Sequence, residues 1–139
     1  MTKITLDFNE RYENAIPASV THSGIYVVFA YNNDSANPNW VLLDIGEAEN
    51  IYERHCHHER ANLWTNYARE HNMMLVYYVA EIGNEHEHRK IAEAALLFRF
   101  QPLIPSDGKQ GYHHGDVELT VTGRLQTAFG AFVQRNTDV

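Results

Sequence analysis

Four side chains stand where their chemistry needs explaining. Arg54 and His58 are four residues apart, a spacing that puts both on one face of a helix, one turn apart. Ile51, three residues before Arg54, is placed to anchor that face to a sheet. A guanidinium and an imidazole held together beside a strand end could grip a phosphate and pass a proton. The same spacing also describes a solvated helix surface. Glu93 is the only charged residue in Ile91-Ala92-Glu93-Ala94-Ala95-Leu96-Leu97-Phe98. A carboxylate among such neighbours must face water, pair with a cation or bind a metal, since desolvating it alone costs several kcal/mol. One carboxylate plus waters is a usual Mg2+ arrangement, often completed by substrate phosphate. Tyr26 lies near the start of an apolar strand, where its phenol either reaches a site at the sheet edge or packs as a cross-strand aromatic.

Histidines offer a rival. His55-Cys56-His57-His58-Glu59, Glu85-His86-Glu87-His88 and His113-His114 hold seven of the nine histidines, and imidazole suits Zn, Ni and Cu. No pair has a recognised zinc spacing, and surface histidines are the plain alternative. The lone cysteine, Cys56, excludes an internal disulfide and a multi-cysteine zinc site; its thiol is expected to be inert or partly buried.

The elements that must position these groups follow from composition along the chain. Gly24–Tyr31 and Trp40–Ile45 are β-branched and aromatic, and Asn32–Asn39 between them suits a long hairpin connection. Glu49 to about His71 reads as one helix, with Ile51, Leu63 and Tyr67 inward. Met73–Ala80 reads as a buried strand. A second helix runs from Glu85 to about Phe100, with acidic residues at its positive end, and Pro102 and Pro105 stop it. Ser106–Gly115 reads as a polar loop and Val117–Thr122 as an alternating strand. Gly123–Gln134 carries Leu125, Ala128, Phe129 and Phe132 at helical spacing. The order β-β-α-β-α-β-α predicts an α/β fold, a small mixed sheet with helices packed against it.

Length and charge narrow the class. At 139 residues one domain, 1–139, is the default, and such a chain buries roughly two thirds of its unfolded surface. No apolar run approaches the ~18 residues of a membrane span. Met1–Phe8 alternates polar and apolar residues without a signal-peptide core, so the cytoplasm is the expected compartment. The net charge is −7, which disfavours non-specific binding to a phosphate backbone. Eight of the eleven basic residues are Arg, the better phosphate fork.

Gly24-Ile25-Tyr26, followed by a strand ending Asp44-Ile45-Gly46, resembles the two-strand signature of the GIY-YIG nuclease superfamily. Arg54 falls where that family has its arginine, and His58 at its His/Tyr position. Glu93 through Gln101-Pro102 is similar to its glutamate helix and the proline beyond. The likeness spans about 24–105, with 116–135 as a C-terminal strand and helix. Ile45–Asn50, His58-Glu59-Arg60 and Trp64 are also similar to a group of bacterial stand-alone members. The resemblance implies a metal-dependent endonuclease hydrolysing phosphodiester bonds, usually of DNA, with Mg2+ or Mn2+. It implies that Tyr26 helps to deprotonate water, Arg54 stabilises the transition state, His58 bonds or relays protons near the nucleophile, and Glu93 holds the metal.

Three positions depart from the family. Asp44 replaces a tyrosine, and serves as a base, as an extra metal ligand, or marks an impaired site. Glu47 replaces a lysine or glutamine and reverses the charge beside the expected phosphate site, which Arg60 also borders. Pro105 stands where an asparagine is common. A nuclease fold kept as a nucleic-acid or protein binding module is therefore the second expectation. Specificity in either case would need a homodimer or a partner.

Overall fold

The computed structural model describes residues 1–137 except Asn33, Ser35, Asn37, Asn84 and 105–110. The chain runs β1 (Thr2–Phe8), β2 (Glu10–Glu13), β3 (Gly24–Asn32), β4 (Asn39–Ala48), α1 (Ile51–Cys56), α2 (Ala61–Glu70), β5 (Met74–Glu81), α3 (His86–Phe100), β6 (Val117–Gly123), the single turn α4 (Gln126–Phe129) and β7 (Ala131–Gln134). It is a mixed α/β fold. Four antiparallel strands form one sheet in the order β2-β5-β3-β4, and β1-β6-β7, with β1 and β6 parallel, form a second.

β3 explains the architecture. Side chains alternate across a strand, and here both faces are covered. Ile25, Val27 and Phe29 pack with Ile91, Ala92 and Leu96 of α3 and with Ile4, Leu6, Leu119 and Val121 of the second sheet. Tyr26, Val28 and Ala30 face the other way, against Ile51 of α1 and Trp64 and Ala68 of α2. A strand buried on both faces reads as a continuous apolar run, which is why Gly24–Tyr31 was legible.

The structure departs from the expected order in four places, the first being β2, a strand on the edge of β5 that was not expected. The alternation of Met1–Phe8 is itself a strand, with Ile4, Leu6 and Phe8 buried, and it builds a second sheet where one was expected. The single helix expected over 49–71 is two. Asn50 caps α1 through its side-chain oxygen, which accepts the Glu53 N–H at 3.0 Å. α1 then ends after two turns, and the chain bends through His57–Arg60 so that His58 turns inward. Restarting at Ala61 rotates the buried stripe to Trp64 and Ala68; Leu63, expected inside, is exposed. Finally, Gly123–Gln134 is a turn plus a strand. Gly130 takes φ 64 and ψ −151, a conformation open essentially to glycine alone, and it redirects Phe132 into a cross-strand pair with Leu119. Ala128 is exposed while Leu125, Phe129 and Phe132 are buried.

α3 ends at Gln101 with a left-handed φ of 46. After Pro102 the chain returns along β4, where the Leu103 and Ile104 N–H groups donate to Leu42 and Leu43 carbonyls at 3.0 and 3.1 Å. Pro105 and the first half of the expected polar loop, 106–110, lie outside the described residues. No helix among the described residues is long and apolar enough to cross a membrane.

Candidate functional site

Gly46 is where the two faces of the sheet meet. It opposes Tyr26 across the β3–β4 ladder, and a methyl group there would overlap the phenol oxygen and ring of Tyr26. The phenol thus lies flat over a residue that must lack a side chain. One residue on, the Glu47 N–H of edge strand β4 donates to Glu93 Oε2 at 2.8 Å. Arg54 from α1 lies near enough for its charge to lower the Tyr26 phenol. Strand phenol, helix guanidinium and helix carboxylate therefore come together around one glycine, although they are 28 and 39 residues apart along the chain.

Asp44 is wholly buried and fully engaged. Its Oδ2 accepts from Arg60 Nε at 2.6 Å and Trp64 Nε1 at 3.0 Å, and its Oδ1 from the Ile45 N–H at 2.8 Å and Arg60 Nη2 at 3.5 Å. Burial pushes this carboxyl upward and Arg60 is the main opposing influence. All four partners are N–H donors, so none can accept a carboxyl proton, and the pair with Arg60 is ionic. That corrects the expectation of a base or metal ligand at this position: Asp44 aims Arg60.

His58 is also buried, at the joint between α1 and α2 and not on a helix face with Arg54. Its ring meets Tyr26 edge-on at 5.8 Å and Trp64 at 4.4 Å. Its Nδ1 accepts the Arg60 backbone N–H at 3.0 Å, which fixes the neutral ring's proton on Nε2. That nitrogen is buried without a partner. Burial, then the Arg54 and Arg60 charges, push the imidazole down to about 4, so it is neutral near pH 7, with a free donor and no free lone pair. A proton relay through His58 would first have to break the Arg60 bond. Burial also pushes the Tyr26 phenol up; Arg54 pulls it down, while Asp44 and Glu93 push it further up.

In front of these groups opens a cleft of about 1110 Å³, lined in part by Arg54, Glu59, Arg60, Lys90, Glu47 and Glu93. Tyr26, Asp44 and His58 lie behind its wall. Among the described residues, six glutamates line the cleft against Arg54, Arg60 and Lys90. The Glu47 side chain is held by the buried Arg89 at 3.0 Å and by Lys90 at 3.6 Å, so its reversed charge is neutralised locally and it is not free to bind a substrate. Burial raises the Glu93 carboxyl to about 7, against the lowering effect of the Glu47 N–H. Among the described residues Glu93 Oε1 has no hydrogen-bond partner.

Among the described residues no three His, Cys, Asp or Glu side chains gather as a metal-holding group, the histidine-rich segments included, and Cys56 is exposed. The sequence reading missed Glu59, Trp64 as the partner of Asp44, and Arg89. The last had a signal, its i,i+4 spacing before Glu93 on α3; the others depend on contacts across the fold. Set against known proteins, the chain matches no family model, no curated protein and no solved structure.

Proposed function

We propose that this chain is a metal-dependent endonuclease of the GIY-YIG type, hydrolysing phosphodiester bonds in DNA with Mg2+ or Mn2+. The observation that carries the reading is the convergence of Tyr26, Arg54 and Glu93 on Gly46 at the wall of one cleft. Glu93 suits a hard divalent cation: it is a carboxylate with one oxygen unengaged, in a cleft rich in carboxylates, and burial disfavours its charge more than Lys90 and Arg60 favour it. A bound divalent ion would supply charge neutralisation at the scissile phosphate. The chain's own groups do the rest. Glu93 is oriented through the Glu47 N–H. Arg54 presents its guanidinium to an anion in the cleft. The Tyr26 phenol is protonated at rest, and positive charge near it, Arg54's included, makes it more acidic. His58, held by the Arg60 N–H and packed on Tyr26 and Trp64, keeps the wall in place.

The test is incubation of the purified protein with single-stranded, duplex and branched DNA in Mg2+ or Mn2+. Metal-dependent cleavage that Glu93→Ala abolishes is expected. No cleavage by the wild type, or equal cleavage by E93A, overturns the reading. The excess of glutamates in the cleft and the lack of a free lone pair on His58 favour a second reading, a binding module without turnover. It predicts retained binding to a nucleic acid or protein partner with no cleavage under any metal.

A further inference from the structure

Glu59 is held by its own backbone N–H and by two arginines. It sits in the bend between α1 and α2, its side chain 61% exposed, yet two guanidiniums close on it. Arg54 Nη1 lies 3.1 Å from Oε2 and Nη2 donates to Oε1 at 3.3 Å, a two-pronged grip. Arg60 Nη1 reaches the same Oε1 at 3.3 Å. Neither arginine is there by accident of surface packing. Arg60 is aimed by the buried Asp44, which uses its Nε and Nη2 and leaves Nη1 pointing to the cleft side. Arg54 is close enough to the Tyr26 phenol for the two to interact electrostatically. Arginine forks bind carboxylate and phosphate with the same planar geometry. Lys90, the third cation among the described residues of the cleft lining, pairs with Glu47 and not with Glu59, so Arg54 and Arg60 are the two that share one anion.

We infer that Arg54 and Arg60 form a two-guanidinium seat for one phosphate group, that Glu59 is the resident carboxylate filling this seat, and that substrate phosphate binds by displacing it. The inference deepens the proposed reading of the same cleft and rests on it for the nature of the phosphate. It makes Arg60 a binding residue, Asp44 the positioning residue behind it, and Glu59 an intramolecular competitor. An exposed carboxylate of this kind holds on weakly, so it screens out weak anions without sealing the site. Inorganic phosphate or a terminal monoester carries more charge and more acceptor oxygens than the carboxylate it replaces, whereas an internal diester matches the carboxylate in both and displaces it only with the help of contacts elsewhere along the strand.

The test is binding without turnover, in EDTA, with two probes: inorganic phosphate followed by 31P NMR, and a labelled single-stranded DNA 12-mer followed by anisotropy. Glu59→Gln should tighten binding about fivefold, the scale of a lost exposed ion pair. Glu49→Gln removes an equal charge from the cleft lining outside the seat and should change binding less than twofold. Adding Arg54→Gln or Arg60→Lys to E59Q should erase the gain. A gain with both probes, or with only one, supports the seat and tells whether a free or a diester phosphate fills it. Unchanged affinity in E59Q, an equal gain in E49Q, or a gain that survives R54Q overturns the inference. None of these readouts requires cleavage, so a protein that never cuts DNA can still pass or fail them.

Discussion

Replacing Glu93 by glutamine should stabilise this protein at neutral pH and leave it unchanged in acid. The reason lies in burial. The folded carboxyl holds its proton up to about 7 against an ordinary value of 4.5. Between those values the folded state binds more protons than the unfolded one, so stability falls as pH rises through the window. The gap, at ~1.4 kcal/mol per pH unit, sets a ceiling of about 3 kcal/mol. Water at the cleft mouth shares the charge, so roughly half of that to the full amount is expected. Glutamine removes the charge and keeps an oxygen to accept the Glu47 N–H. At about 3 °C per kcal/mol for a chain of this size, E93Q should melt about 5–10 °C above wild type at pH 8 and converge with it by pH 4. The assay is a set of thermal melts between pH 4 and 8 in EDTA. An offset that does not vary with pH, or an E93Q that is less stable at pH 8, would refute the claim that desolvation governs this carboxylate.

Two further substitutions probe the scaffold. Asp44→Asn should cost about 3 kcal/mol in urea unfolding, because it strands the Arg60 charge against a buried wall; a cost below ~1 kcal/mol would show that the pair is not ionic. Gly46→Ala forces the Tyr26 phenol off its glycine and should cost about 1–3 kcal/mol while lowering any DNA cleavage at least tenfold. The control is Gly83→Ala, where an added methyl group meets nothing within 4 Å and where neither melting nor cleavage should move.

The sequence exposes what is local and hides what is tertiary. β3, β4 and β5 announce themselves because central strands need apolar residues on both faces, and no other short element uses so many β-branched and aromatic residues. The end of α3 is equally plain, because Pro102 cannot continue it. The break between α1 and α2 has no such mark: there is no Pro or Gly between Ile51 and Glu70, and helix propensity runs through. What stops the helix is a set of bonds to residues far along the chain, above all Arg60 to Asp44, sixteen positions away. At the C-terminus a helical period in Leu125, Phe129 and Phe132 survives by chance in a turn followed by a strand, and Gly130 was the residue that distinguished the two. Among the site residues, Tyr26, Arg54 and Glu93 could be named from type and order. The role of Asp44 could not, since a carboxylate at a strand end gives no hint of which donors will surround it.

Asp44, for that reason, says most about how the site is built. A phenol at that position would offer one hydroxyl to the cleft. A carboxylate there, with no water to solvate it, must recruit donors, and the nearest that can satisfy two lone pairs at once is an arginine fork. Once Arg60 is committed, its remaining Nη1 is delivered to the cleft beside Arg54, and its backbone N–H pins His58 Nδ1. One exchange of residue type at β4 thus fixes the tautomer of the histidine, adds a second guanidinium to the anion side, and buries the carboxylate's own charge. Glu47 works on the same principle: its negative charge is spent on Arg89 and Lys90, leaving only its backbone N–H to act on Glu93. The charges of Asp44 and Glu47 are therefore both neutralised within one shell of contacts. At the cleft this leaves Glu59 set between two arginines, and under the inference above, phosphate binding turns on how easily that carboxylate is moved aside.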